Sequence, residues 1–153
     1  MTVEACLAEK GYKLPQAAAP VASYLPVVVH GNLVHISGQL PFVDDELVTG
    51  KLGDDVSLEE GQKAAQACAL MILAQVKAAG IELDRIERVV KLGVFVNSSA
   101  DYTDQPKVAN GASDLMVDVL AEAGKHARSA VGVAALPLGA AVEVDAIIAL
   151  ASD

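Results

Sequence analysis

HARSAVGVAALPLGAAVEVDAIIAL, residues 126–150, is the stretch that decides the fold of this chain. It holds two apolar runs that alternate with a period of two, and the segment LPLG at 136–139 separates them. Arg128 begins the first run, and Glu143 lies near the start of the second. Period-two alternation is typical of half-buried strands, so the stretch predicts two final antiparallel strands with Glu143 opposite the apolar row.

Arg128 and Glu143 stand in an almost wholly apolar setting in this stretch. A guanidinium and a carboxylate are costly to remove from water unless they pair with each other or with a ligand. Arg128 and Glu143 therefore fit two interpretations, a buried salt bridge that only stabilises the fold and a functional site. The spacing alone leaves both open.

Upstream, hydrophobic periodicity and capping signals predict the remaining elements. They are, in chain order, a leader helix from 2 to 11, a hairpin of 25–29 and 32–40, a polar loop at 43–56, a helix from 57 to 80, a strand from 87 to 97 and a helix ending at 124. The SLEE capping box at 57–60 and a stop at Gly80 bound the long helix. Together these elements predict an α+β domain, a single mixed sheet with two helices packed on one face.

Two motifs resemble the signatures of a known family. RSAVGVAALP from Arg128, followed by AVEVDAI around Glu143, is similar to its C-terminal signature, and YLPVVVHGNLVHISGQLP at 24–41 is similar to its N-terminal one. KLGVFVN at 91–97 and VAN at 108–110 add weaker matches. By these motifs the chain is identified as a member of the RidA (YjgF) family of reactive enamine and imine deaminases, which also bears the older name endoribonuclease L-PSP.

The resemblance implies an architecture more specific than the periodicity does. It implies a chorismate-mutase-like fold, a long variant in which residues 1–19 form an N-terminal extension and residues 20–153 the RidA-like domain. It also implies a homotrimer whose sites lie in the clefts between subunits.

The resemblance further implies a reaction and its residues. Enamine or imine acids such as 2-aminoacrylate and related 2-imino acids would be hydrolysed to 2-keto acids and ammonia. Arg128 would bind the substrate carboxylate through its planar fork of donors, and Glu143 would position and polarise a water molecule. Tyr24, Ser37 and Asn110 are implied as further substrate-binding groups. Ala130 stands where many members carry Cys, so the resemblance implies no thiol chemistry at that position.

Composition limits the classes of partner. The net charge is −9, with 20 acidic against 11 basic residues, which argues against nucleic acid. Cys6 and Cys68 have no metal-ligand or redox spacing, so we expect no metal and no cofactor, and two free thiols predict a cytoplasmic protein. A 53% hydrophobic content without an apolar run of membrane-spanning length predicts no membrane segment and favours an oligomer.

One other function stays open beside the deaminase. It is a non-catalytic trimer that binds small carboxylates or a protein partner and uses Arg128 only as an anchor. A nearby carboxylate favours the enzyme, because carboxylate binding gains nothing from a second anion. An endoribonuclease ranks third because of the charge balance and the lack of paired histidines.

Overall fold

The computed structural model describes residues 1–20 and 22–152 and has an α+β fold built on one mixed sheet. Its five strands lie in the order β1-β2-β7-β5-β6, and α2 and α3 pack against one face. The elements are α1 (Val3–Glu9), β1 (Val27–His30), β2 (Leu33–Gln39), β3 (Phe42–Val43), β4 (Glu46–Leu47), α2 (Leu58–Ala78), β5 (Ile86–Asn97), α3 (Gln105–Leu120), β6 (Ala127–Val133) and β7 (Val142–Leu150). The predicted class, one mixed sheet with two helices on one face, is confirmed.

Local signals set the boundaries of these elements. Ser57 caps α2 by accepting from the Glu60 N–H at 3.1 Å, and the Glu60 carboxylate accepts from the Ser57 N–H at 2.8 Å, which completes the predicted capping box. Gly31, at φ 63, supplies the left-handed residue in the turn between β1 and β2. The two strands begin and end within about two residues of their predicted bounds.

The two long helices approach each other closely at one point. A Cβ on Gly111 of α3 would lie 1.9 Å from the backbone oxygen of Gln62 in α2. The Gln62 side chain also donates to the Lys107 carbonyl at 2.9 Å. This contact fixes how α3 lies over the sheet, and α3 in turn carries part of the candidate site.

The prediction that the last two strands pair with each other is wrong, because β5 lies between them. Helix α3 joins β5 to β6, and a strand–helix–strand crossover places the two strands side by side and parallel. Strand β7 pairs antiparallel with the other side of β5 and with β2. The segment 134–141 does not close a hairpin but crosses the end of β5. There the Asn97 N–H donates to the Ala141 carbonyl at 2.9 Å.

Two other predicted boundaries need correction. Helix α3 ends at Leu120 and not at Gly124, because Ala121 takes a left-handed φ of 52 and a short 3₁₀ turn follows. The predicted polar loop contains the small hairpin of β3 and β4, whose turn residues Asp44 and Asp45 are both left-handed, with φ values of 49 and 66. Asp tolerates this conformation better than most residues, which suits it to such a tight turn.

The N-terminal segment packs against the helices. Thr2 caps α1 as predicted, and Val3 and Leu7 are buried in the common core. Gln75 of α2 holds the following extended piece by donating to the Ala18 carbonyl at 2.8 Å. The division between 1–19 and 20–153 stays a prediction, and positions 21 and 153 of that second range lie outside the described residues.

The sheet has two unlike faces. The helix face carries the buried core, including alternate residues Val142, Val144 and Ile148 of β7. We call the opposite side, which none of the described helices covers, the open face. It exposes apolar side chains, among them Val28, Leu33 and Val131 at 46%, 36% and 46% of their surface. Across residues 1–20 and 22–152, no helix combines the length and apolar character needed to cross a membrane.

Candidate functional site

Arg128 lies on the edge strand β6 and points to the helix face. Its Nη1 donates to Asn110 Oδ1 and to Ser113 Oγ, both at 2.9 Å, and its Nη2 donates to the Pro106 carbonyl at 3.3 Å. These three partners lie at positions i, i+4 and i+7 of one helical segment, so they form a single stripe of α3 above the strand. The structure therefore brings Arg128 and Asn110, two of the predicted site residues, into direct contact.

These bonds leave one side of the guanidinium without a partner among the described residues. An arginine has five N–H groups, and the hydrogen bonds to α3 use both of Nη1 and one of Nη2. The Nε–H and the other Nη2–H remain, and they lie along the same edge of the planar group. That edge matches the two oxygens of a carboxylate.

His126 stabilises this arrangement through a hydrogen bond to Ser113. His126 Nδ1 lies 2.6 Å from the Gly124 carbonyl oxygen, and His126 Nε2 lies 2.8 Å from Ser113 Oγ. A carbonyl can only accept, so Nδ1 carries the hydrogen, and with the imidazole in its neutral form Nε2 then accepts from the Ser113 hydroxyl. Ser113 thereby donates to His126 and accepts from Arg128. A continuous chain of hydrogen bonds runs from the guanidinium to the backbone.

Glu143 lies on the open face and not beside Arg128. Strand β7 is two strands away from β6, and the registers place Glu143 opposite Phe95 but Arg128 opposite Leu92. The salt bridge between Arg128 and Glu143 considered from the sequence is therefore wrong for the single chain. Arg128 is held by neutral oxygens instead.

Two carboxylates of β7 rest on glycines of the neighbouring strands. A Cβ on Gly38 of β2 would lie 2.2 Å from Glu143 Oε1, and a Cβ on Gly93 of β5 would lie 2.2 Å from Asp145 Oδ1. Only a glycine leaves room for each carboxylate at these places. The side chain of Glu143 is half-buried, and this burial, followed by the nearby charge of Asp145, raises its pKa above the ordinary value of a glutamate.

The other predicted site residues lie on the β1–β2 side of the sheet. Ser37 precedes Gly38, so it is adjacent to the position that the Glu143 carboxylate covers, and its hydroxyl accepts from Gln39 Nε2 at 3.3 Å. Tyr24 precedes β1 and is 50% exposed. Strands β1 and β6 are opposite edges of the sheet, about 19 Å apart at the usual strand spacing.

The predicted residues thus form two separate groups in one chain. We call Arg128 with Asn110 the guanidinium half, and Glu143 with Ser37 and Tyr24 the carboxylate half. The roles assigned to these five residues from the sequence remain predictions. Within residues 1–20 and 22–152, no group of three or more His, Cys, Asp or Glu side chains could hold a metal ion.

A cavity of about 680 Å³ lies away from both halves. It is open to solvent on one side and is lined by residues 13–16 and 18, the β3–β4 hairpin and one side of α2. None of the five predicted site residues lines it. Size alone therefore does not identify the site in this protein, because Arg128 lies on an edge strand and Glu143 on the open face of the central strand.

Sequence reasoning missed two members of the guanidinium half, Ser113 and His126. Ser113 follows Asn110 by three residues, a spacing that keeps both on one helical face. His126 precedes Arg128 by two residues, so strand alternation puts both side chains on one face of β6. Both signals were present in the sequence, but they identify a network only when α3 is known to lie over β6.

Comparison with known proteins agrees with this architecture. The family model described as "YjgF/chorismate mutase-like, putative endoribonuclease" matches residues 4–150. Protein TCP17 of Trypanosoma cruzi is 55% identical over 150 residues, which are 97% of this chain and 94% of TCP17. A 2-iminobutanoate/2-iminopropanoate deaminase of Dermatophagoides farinae is 31% identical over 138 residues, covering 89% of this chain and 92% of the deaminase.

A solved structure gives the same result for the fold. The crystal structure of Atu1372 from Agrobacterium tumefaciens, a protein of unknown function, superposes with a TM-score of 0.91 at 48% identity and covers 97% of this chain and 92% of that one. The predicted chorismate-mutase-like fold is thereby confirmed. The family-model match over residues 4–150, with the identity to a named deaminase, shows that the chain belongs to the YjgF/RidA family.

Proposed function

We propose that this protein is an enamine and imine deaminase that hydrolyses 2-aminoacrylate and related 2-imino acids to 2-keto acids and ammonia. The observation that carries the proposal is the edge of Arg128 that keeps two parallel N–H groups for a carboxylate while α3 holds the rest of the guanidinium. The family contains a protein named 2-iminobutanoate/2-iminopropanoate deaminase, which acts on substrates of this class by its name.

The complete site, in this proposal, forms between two copies of the chain. In one chain the guanidinium half and the carboxylate half lie on different faces and toward different edges of the sheet, so one small substrate cannot touch both. A closed homotrimer could place the β6 edge of one subunit beside the β1–β2 side of the next. The exposed apolar side chains of the open face are the surface that such an assembly would bury.

The chemistry asked of the site is modest. An enamine such as 2-aminoacrylate first gains a proton at C3 and loses one from nitrogen to become the imine. Water then adds to the imine carbon, the nitrogen takes up a proton, and the carbinolamine loses its hydroxyl proton and ammonia to leave a 2-keto acid. Glu143 accepts a proton from the attacking water and returns it to the leaving nitrogen. Because its pKa is raised by burial and by Asp145, Glu143 is a stronger base than an ordinary carboxylate. The remaining rate acceleration comes from orienting a substrate that is already reactive.

The amide of Asn110 adds a second contact for the substrate. Its Oδ1 accepts from Arg128, so its NH₂ group is turned away from the guanidinium. Asn110 is exposed, and the amide donors are therefore accessible to a ligand beside the arginine. This fits the role of a substrate-binding group predicted from the sequence.

The test is ammonia release from imines generated in situ by an amino-acid oxidase. We expect the wild type to accelerate release and Arg128→Ala to lower kcat/KM by roughly ten- to a hundredfold, the worth of a hydrogen-bonded charged contact. Arg128→Lys should recover little, because an ammonium lacks the planar fork. Arg85→Ala is the matched control: it removes an exposed arginine that donates to the Ala151 carbonyl and should leave the rate unchanged.

The competing function, a non-catalytic trimer that binds small carboxylates, is favoured by the separation of Glu143 from Arg128 in the single chain. It predicts that wild type and Arg128→Ala release ammonia at the uncatalysed rate, while Arg128→Ala binds 2-oxobutanoate about ten- to a hundredfold more weakly than the wild type. Calorimetry beside the rate assay separates the two functions. Equal rates with and without protein would reject the deaminase.

A further inference from the structure

We propose that His126 and Ser113 are positioning residues that hold the Arg128 guanidinium with its free edge toward the substrate carboxylate. The inference rests on the proposed role of Arg128 as the carboxylate-binding group. It adds two residues that touch neither substrate nor the reacting atoms. They act through the arginine alone, by way of the hydrogen bonds of 2.9 Å and 2.8 Å that converge on Ser113 Oγ.

With the imidazole neutral, the Gly124 carbonyl sets the direction of each bond in this chain, because a carbonyl can only accept. The Gly124 carbonyl takes the hydrogen of His126 Nδ1, so Nε2 presents a lone pair to Ser113. The Ser113 hydroxyl then gives its hydrogen to the imidazole, and its oxygen lone pairs face Arg128. Without an acceptor at Nε2, the hydroxyl could rotate and direct its hydrogen at the guanidinium, where it would compete with the bond from Nη1.

The orientation of the Ser113 hydroxyl matters because few other contacts restrain Arg128. Arg128 lies on an edge strand with no further strand beyond it among the described residues, so the hydrogen bonds to α3 restrain its long side chain. Asn110, the other side-chain acceptor, is exposed and can exchange its bond with water. Ser113 is half-buried and is fixed from both sides. The serine and the histidine therefore select one rotamer of Arg128 before a ligand arrives, which reduces the entropy lost on binding.

Three variants test the inference. His126→Phe keeps a ring of similar size but removes both hydrogen bonds, and Ser113→Ala removes the shared oxygen. His126→Gln keeps an amide oxygen that can reach the place of Nε2 and accept from Ser113. We expect His126→Phe and Ser113→Ala to raise KM for the imine about tenfold with kcat nearly unchanged, because Arg128 binds the carboxylate equally well in the substrate and in the transition state. His126→Gln should bring KM most of the way back to the wild-type value.

A direct binding measurement makes the inference independent of turnover. Calorimetry with 2-oxobutanoate should show the same tenfold weakening for His126→Phe, and the weakening should disappear when Arg128→Ala is also present, because the histidine acts only through the arginine. If wild type binds 2-oxobutanoate in this way but releases no ammonia, the proposed function fails and the positioning role stands.

Three results would overturn the inference. The inference is overturned if His126→Phe lowers the melting temperature while leaving 2-oxobutanoate affinity unchanged, or if its effect adds to that of Arg128→Ala. It is also overturned if His126→Gln binds as weakly as His126→Phe. Nitrogen chemical shifts of the imidazole provide the last check, since the wild type must carry its hydrogen on Nδ1.

Discussion

Replacing Gly38 by alanine should remove the proposed activity by moving one carboxylate. The alanine Cβ would lie 2.2 Å from Glu143 Oε1, 2.8 Å from its Cδ and 3.0 Å from its Cγ. All three atoms belong to the same side chain, and Gly38 does not have a positive φ, so its backbone accepts alanine without strain. The new methyl group therefore displaces Glu143 and little else.

The required displacement follows from these distances. Ordinary van der Waals contact begins at 3.4 Å, so Glu143 Oε1 must retreat by about 1.2 Å. A misplacement of about 1 Å can cost a hundredfold in a reaction that depends on positioning. We therefore expect kcat for imine hydrolysis to fall by about a hundredfold, with KM changed little because Arg128 is untouched.

A matched control is available on the strand that flanks the other side of β7. In Gly93→Ala the new Cβ would lie 2.2 Å from Asp145 Oδ1, so an equal clash moves the neighbouring acid and leaves Glu143 in place. Ammonia release should persist in Gly93→Ala and be lost in Gly38→Ala, with circular dichroism confirming that both variants are folded. Equal kcat values for Gly38→Ala and the wild type would refute the assignment of Glu143 as the group that activates water.

Three further predictions concern stability and assembly. Burial and Asp145 raise the pKa of Glu143, so its ionised form opposes folding. Glu143→Gln should therefore have a higher melting temperature than the wild type near neutral pH. This difference in melting temperature should disappear below about pH 4, where the wild-type carboxyl is protonated in both the folded and the unfolded state. A lower melting temperature at neutral pH would contradict this sign. Gly111→Ala should lower the free energy of unfolding, measured in urea, by about 1–3 kcal/mol, because the new Cβ meets the rigid Gln62 backbone. An unchanged urea midpoint would mean that the two helices move apart freely. Sedimentation equilibrium at micromolar concentration should show a trimer, and a stable folded monomer would remove the shared site.

Local chemistry made much of the fold predictable from the sequence. The capping box at Ser57, the stop after α2 and the alternation along β7 each depend on neighbours within one element, and the structure confirms them. The order of strands depends instead on long-range pairing. The helix between β5 and β6 requires parallel neighbours, and the final apolar runs looked like a hairpin only because they are consecutive in the chain.

The candidate site was predictable as residues but not as geometry. The alternation along β7 correctly placed Glu143 opposite the buried row, yet no local pattern tells that β5 separates β7 from β6 or that Arg128 lies on an edge strand under α3. The Arg128–Asn110 contact depends on how α3 lies over β6, which the close approach at Gly111 sets. Ser113 and His126 look like ordinary polar residues until that packing is known.

The placement of the two halves of the site on opposite sides of the sheet has a genetic consequence. If each site joins the arginine of one subunit to the glutamate of its neighbour, then inactive Arg128→Ala and Glu143→Gln chains can complement each other when co-assembled. Random mixing in equal amounts restores about a quarter of the sites, since each restored site needs the right chain on both sides. By the same reasoning, an allele with one of these changes, expressed equally beside the normal one, would leave about half of the sites active. An allele with both changes would leave about a quarter, because it also spoils sites to which a normal subunit contributes either half.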